Sequence, residues 1–118
     1  MQRHVIEVLY RERCPFVALA IERVRAVLGQ LSLNVDIEIR LVRVDTMEDA
    51  VSRHFRGSPS VRVDGVDVDP RASSRPLGTH ARGYVDEGIV ERAPPVSWIL
   101  ATLTRAFGGA SPPAHALQ

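Results

Sequence analysis

The spacing of apolar residues along this chain changes repeatedly, and each change marks an element. Val5-Ile6-Glu7-Val8-Leu9 is a nearly continuous apolar run within residues 4–10, the pattern of a central parallel strand. After Arg11-Glu12-Arg13-Cys14-Pro15-Phe16 the spacing turns helical. Val17, Ala20, Ile21, Val24, Val27, Leu28 and Leu31 share one side, while Glu22, Arg23 and Arg25 take the other. Pro15 suits the first turn of that helix, where its missing N–H costs nothing, and Gly29 marks a stop or fray point. From Val35 the period becomes two: Val35, Ile37, Ile39 and Leu41 alternate with Asp36, Glu38 and Arg40. The phase slips at Leu41-Val42, after which Val42 and Val44 are the apolar positions, so a bulge or a strand end is predicted there.

A short second helix is expected to begin near Asp45 or Thr46, each followed three residues later by an acid in a capping-box pattern. Met47, Ala50, Val51 and Phe55 would form its inner face, and Gly57-Ser58-Pro59-Ser60 would end it. Val61 and Val63 then alternate with Arg62 and Asp64. Asp64-Gly65 is a two-residue hairpin turn, and Val66 and Val68 continue the alternation. Residues 70–95 are rich in Gly, Pro, Ser and Arg and are read as a long loop excursion that carries function or packs back. A last helix follows Pro94-Pro95, with Val96, Ile99, Leu100, Leu103 and Phe107 inward and Gly108-Gly109 as terminator. Residues 1–109 thus form one domain, and 110–118 read as a flexible tail.

Strand, helix, strand, helix, hairpin, helix is an order with few solutions. The first strand–helix–strand unit implies a parallel pair joined by a crossover, and the hairpin adds an antiparallel strand. The expected class is α/β: a four-stranded mixed sheet with helices on both faces.

Composition narrows the function classes. The chain has 118 residues, 45% of them hydrophobic, and a formal net charge of +1, as in an ordinary globular domain. All 15 basic residues are Arg, which with abundant Ala, Val and Gly suggests GC-rich, bacterial coding. They are interleaved with acids, and aromatic residues make up only 5%, so neither a basic footprint nor a stacking platform for nucleic acid is expected. No apolar run is long enough to span a bilayer, and the chain starts directly into a strand pattern with no export signal. The single cysteine has no internal disulfide partner, as expected for a reducing cytoplasm.

Cys14 stands where the first strand pattern stops and the helical one begins. Free N–H groups and the positive helix end favour a thiolate at such a junction, by roughly 0.3–1 kcal/mol, with Arg11 and Arg13 adding positive charge. Two segments carry a resemblance. Arg11-Glu12-Arg13-Cys14-Pro15-Phe16-Val17 is similar to the glutaredoxin stretch Lys-x-x-Cys-Pro-Tyr/Phe-Cys, and Ser58-Pro59-Ser60-Val61-Arg62-Val63-Asp64-Gly65 to the segment bearing the cis-proline of the thioredoxin-like superfamily. With the element order, the chain resembles that superfamily over about residues 4–108. It is also similar to small bacterial thioredoxin-like proteins labelled alkylmercury lyase-like, through Gly57-Ser58-Pro59 to Val63-Asp64-Gly65-Val66-Asp67 and through Ala81-Arg82-Gly83-Tyr84. Ala81 stands where such relatives carry a second cysteine, and Val17 where a Cys-x-x-Cys pair would close.

The resemblance implies a thioredoxin-like fold in which Cys14 is the nucleophile. Arg11, Arg13, Pro15, Phe16, Ser58, Pro59 and Ser60 would bind the substrate, with Ser58–Pro59 cis. No metal or resident cofactor is implied. Lacking a second thiol, a mixed disulfide at Cys14 needs an external thiol, such as glutathione or mycothiol, as co-substrate. The Gly-Gly-x-Asp ending with which glutaredoxins hold glutathione is replaced by Val68-Asp69-Pro70. The expected partner is a thiol or disulfide, small molecule or protein. Two further readings stand beside monothiol exchange: a non-catalytic thioredoxin-like binding module, and an organomercurial or metal–thiol binding protein. Cys14 as a small core hydrophobe is the structural alternative.

His4, His54, His80 and His115 show no metal-ligand spacing and read as surface or capping residues, although His80 lies in a segment able to fold back toward Cys14. Asp64, Asp67 and Asp69 read as the wet side of the hairpin. Trp98 suits either the core or an interaction surface.

Overall fold

The computed structural model describes residues 3–31 and 36–107. Within them run β1 (Arg3–Tyr10), α1 (Val17–Gln30), β2 (Asp36–Arg43), α2 (Met47–Ser52), β3 (Arg56–Ser58), β4 (Ser60–Val63), β5 (Val66–Asp67), β6 (Gly78–Ala81), β7 (Tyr84–Asp86), β8 (Ile89–Glu91) and α3 (Val96–Ala106), with a 3-10 turn at Ala72–Ser74. Val35, Gly108-Gly109, the 110–118 tail and His115 lie outside the described residues.

Four strands form a mixed sheet in the order β2-β1-β4-β5. β1 is central, parallel to β2 and antiparallel to β4, while β4 and β5 form the expected hairpin. Both turn residues, Asp64 (φ +50°) and Gly65 (φ +83°), are left-handed, as a tight two-residue hairpin requires. α1 and α3 cover one face, where Ile6, Val8, Val61 and Val63 meet Ala20, Val24, Val27, Ile99 and Leu103. Each large aliphatic side chain buried there contributes about 1.5–3 kcal/mol by leaving water. The opposite face holds a smaller cluster of Leu9, Val44, Ala50 and Phe55 beneath α2. No helix among the described residues is long and apolar enough to cross a membrane.

This two-sided packing explains the phase slip in β2. Its register with β1 runs unbroken from Arg3↔Asp36 to Tyr10↔Arg43, so of the two expected explanations the bulge is absent and the strand ends at Arg43. Ile37 and Ile39 pack on the α1/α3 side, whereas Val42 and Val44 join the α2 side. The apolar positions change faces because the covering helix does, and Leu41 between them is 54% exposed. α2 is shorter than expected. Thr46 caps it, Oγ1 accepting the Asp49 N–H at 3.1 Å, but the helix ends before Phe55 and leaves Met47 and Val51 exposed. Gly29 lies one residue before the end of α1 at Gln30, in line with a stop or fray point there.

Residues 70–95 are structured, contrary to their reading as a loop. β6 pairs in parallel with β3, and β7 and β8 form a second hairpin. Arginine side chains fasten this span by donating to its carbonyls. Arg11 reaches Thr79, Arg56 reaches Arg75, Arg71 reaches Val85, and Arg23 reaches Ala93 and Pro94 while pairing with Glu91. A planar fork with five donors suits backbone that no regular ladder satisfies. Trp98 is half-buried and lies edge-on to Tyr84 at 6.1 Å.

Candidate functional site

Past β1 the chain makes a turn in which the Cys14 N–H donates to the Arg11 carbonyl at 3.3 Å. Arg13, just before Cys14, has φ +60°, a conformation that residues with a Cβ rarely adopt and that costs roughly 1 kcal/mol or more. The surroundings compensate with several ties. The Arg11 N–H donates to Ser58 Oγ at 3.0 Å, and the Arg11 guanidinium donates to the Thr79 carbonyl at 3.1 Å. The Glu12 N–H donates to Asp45 Oδ1 at 2.7 Å, and the Glu12 carboxylate pairs with Arg43 at 3.0 Å. The backbone bond from Glu12 opposes the effect of burial at Asp45, and with Arg43 it holds that carboxyl below its ordinary range. Of the predicted cations, Arg11 is thus committed to the 70–95 span, while Arg13 is exposed and pairs with nothing among the described residues.

Helix α1 begins later than the sequence suggests. Phe16 is its N-cap (φ −114°, ψ 7°), so Pro15 lies in the preceding turn and Cys14 two positions before the cap. The helix end is therefore set back from the thiol. Cys14 is buried, only 8% exposed, as a small core residue would be, although it belongs to neither of the two apolar clusters. Pro15 is exposed and Phe16 half-buried.

The Ser58–Pro59 peptide is cis, at the entry to β4. All three residues of the Ser58-Pro59-Ser60 segment are buried, and their polar groups are engaged within the protein. Ser58 Oγ accepts from Arg11 and the Ser58 carbonyl accepts the Arg82 N–H at 3.0 Å. The Pro59 carbonyl accepts the Tyr84 hydroxyl. Ser60 Oγ donates to the Gly57 carbonyl at 2.6 Å and accepts from the Arg82 guanidinium at 2.8 Å. Strand β6 lies alongside, with Ala81 opposite Ser58 in the ladder.

Behind the proline stands a buried charge cluster that the sequence reading missed. Arg82, 3% exposed, pairs with Asp67 at 2.8 and 3.1 Å and with Asp69 at 3.3 Å, and its guanidinium carbon lies 4.8 Å from the Tyr84 ring centre. Asp69 also accepts from Arg75 at 3.3 Å and from the Arg71 N–H at 2.8 Å. Burial alone would raise the Asp69 pKa, but the Arg71 N–H, Arg82 and Arg75 together leave it lowered. Burial pushes the Tyr84 phenol up, keeping it a hydrogen-bond donor to Pro59. Asp67 and Asp69 are therefore not the wet side of the hairpin. The signal lay in Arg82 and Tyr84 within the Ala81-Arg82-Gly83-Tyr84 segment, whose carboxylate partners sit 13 and 15 residues upstream.

Compared with protein-family models, curated proteins and solved structures, the chain matches none of them.

The histidines are placed separately. His4 is buried, a correction to its surface reading, with Nδ1 2.6 Å from Asp64 Oδ2 and its ring edge-on to Phe107. His54 and His80 are exposed, and the His80 ring packs over Gly57 and Gly78. Among the described residues no group of three His, Cys, Asp or Glu side chains is arranged to hold a metal ion.

Proposed function

We propose that the chain is a thioredoxin-like domain in which Cys14 performs thiol–disulfide exchange, resolved by an external thiol. The observation that carries this reading is the direct bond between the Cys14 turn and the cis-proline segment, Arg11 N–H to Ser58 Oγ at 3.0 Å. Cys14 lies outside both apolar clusters but is buried, so the reaction depends on the 8% of its surface that stays exposed. In the proposed cycle the Cys14 sulfur attacks a disulfide, forming a mixed disulfide and releasing one thiolate. A second, external thiolate then attacks that mixed disulfide, regenerating Cys14 and leaving a new disulfide in solution. Val17 and Ala81 provide no internal resolving thiol. The substrate is a small-molecule or protein disulfide, glutathione or another low-molecular-weight thiol is the co-substrate, and the setting is a reducing bacterial cytoplasm.

The test uses the reduced protein and 2-hydroxyethyl disulfide. Mass spectrometry is expected to find one mercaptoethanol adduct on Cys14, discharged by added glutathione and absent in Cys14→Ser. A thiol that reacts only after urea unfolds the protein overturns the reading. The lack of a second thiol at Val17 and Ala81 favours the non-catalytic binding module instead, with any partner bound elsewhere than beside Ser58, where β6 already fills the ladder. Under that reading Cys14→Ser protein keeps its fold and recovers the same partners as the unaltered chain.

A further inference from the structure

On the sheet face not covered by α1 and α3, a cleft of about 350 Å³ opens between the end of α2, the β4–β5 hairpin and the 3-10 turn. Its volume falls within the range of small-molecule sites. Arg53, His54, Arg56 and Arg62 line it together with Asp67 and Ser73. Two of the arginines are held in place by backbone. Arg56 donates one guanidinium nitrogen to the Arg75 carbonyl at 2.6 Å, and Arg62 donates one to the His54 carbonyl at 2.7 Å. Among the described residues their other guanidinium nitrogens have no hydrogen-bond partner, and neither has Arg53. Asp67, the one carboxylate in the lining, is already paired with Arg82 at 2.8 Å. Glu7 stands opposite Arg62 in the β1–β4 register and offsets part of the charge.

The cleft is therefore positively charged, with donors fixed before any ligand arrives. Burial lowers the Arg62 pKa, while Asp67 and Glu7 raise it and Arg82 and Arg56 add smaller lowering effects. An anion seated among Arg53, Arg56 and Arg62 would satisfy the free donors. Forked guanidinium groups fixed in space suit a tetrahedral, doubly charged oxyanion in particular. The exposed Ser73 and His54 add polar contacts at the rim for a further part of the ligand.

We infer that this cleft is a binding site for the phosphate monoester group of a small molecule, separate from Cys14 and independent of its chemistry. The probe is ribose 5-phosphate, titrated at constant ionic strength into 15N-labelled full-length protein, with ribose as the uncharged control. Saturable shifts of the Arg56 and Arg62 Nε–H signals are expected with the phosphate ester and none with ribose. Arg53→Gln removes an exposed side chain with no partner, so it leaves the fold intact, and it is expected to weaken binding about tenfold. Arg62→Gln should weaken it at least as much. Failure of ribose 5-phosphate to saturate at millimolar concentration overturns the proposal. So does binding that Arg53→Gln leaves unchanged, or equal shifts with ribose.

Discussion

Replacing Arg82 by methionine tests whether the charge cluster behind Pro59 works as one unit. Arg82 and Arg75 balance Asp67 and Asp69, so the four charges sum to zero in a patch that is largely buried except at Arg75. Methionine fills similar space but leaves Asp67 and Asp69 facing one cation, Arg75, whose bond to Asp69 is long at 3.3 Å. Removing one partner from a buried ion pair costs about 3–5 kcal/mol, because the remaining charge stays desolvated. For a domain of this size each kcal/mol corresponds to roughly 4 °C in Tm, so a fall of roughly 12–20 °C is expected. The change also withdraws the donor to Ser60 Oγ, but the Ser58 carbonyl keeps its bond because that donor is the Arg82 backbone N–H. Urea unfolding followed by far-UV circular dichroism gives the free energy. The decisive comparison is the double variant Arg82→Met/Asp67→Asn. It restores neutrality and is expected to recover about 1 kcal/mol or more of the single-variant loss. A loss below about 1 kcal/mol in Arg82→Met, or a double variant equal to the sum of its singles, refutes the cluster as a coupled unit.

Gly57→Ala should lose at least about 2 kcal/mol, because φ is +106° and a Cβ there would lie 2.9 Å from both Arg82 Cβ and His80 Nε2. Gly88→Ala, at φ +81° with nothing within 4 Å, isolates the conformational part, and equal losses on thermal melting would discount the steric part. Acid should destabilise the fold through Asp69 and Asp64. Burial raises both, yet hydrogen bonds and nearby positive charge outweigh it and leave both lowered. A carboxyl depressed in the folded state adds stability above its unfolded value near 3.9, and that stability disappears as pH falls through the folded value. Urea midpoints should therefore drop from about pH 4 downward, with a shallower slope in Asp69→Asn; an unchanged slope counts against the assignment.

The parts of the fold legible in the chain are those that local rules decide. β1 follows from its apolar run, the Asp64-Gly65 hairpin from two residues that accept left-handed backbone, and the start of α2 from the Thr46 hydroxyl. The exposed Met47 and Val51 and the face change in β2 depend on where α1, α2 and α3 lie, which periodicity within one element does not contain. The 70–95 span escapes pattern reading for another reason. Its strands are three or four residues long, and arginine donors from distant elements hold much of its backbone. At the site, Cys14 and the Ser58–Pro59 segment stand out as short motifs. The Arg82–Asp67–Asp69 cluster does not, since alternating aspartates after a hairpin look solvent-facing until their partner is seen.

That cluster also bears on what the proposed Cys14 reaction could recognise. The Ser58 and Pro59 carbonyls and the hydroxyls of Ser58 and Ser60 are hydrogen-bonded to Arg82, Tyr84, Arg11 and Gly57. A ligand gains little from groups already satisfied, because each bond it makes there replaces an internal one. The side chains of the Cys14 turn are differently placed: Arg13 and Pro15 are exposed, and Phe16 is half-buried at the start of α1. Under the proposed reaction, discrimination among disulfides would therefore rest on residues 13–16, which carry an exposed cation, an exposed proline ring and a half-buried aromatic side chain next to Cys14 in the chain. The proline segment contributes by holding that turn in place through Arg11. If that reaction occurs, substrate choice would belong to the turn and not to the proline segment.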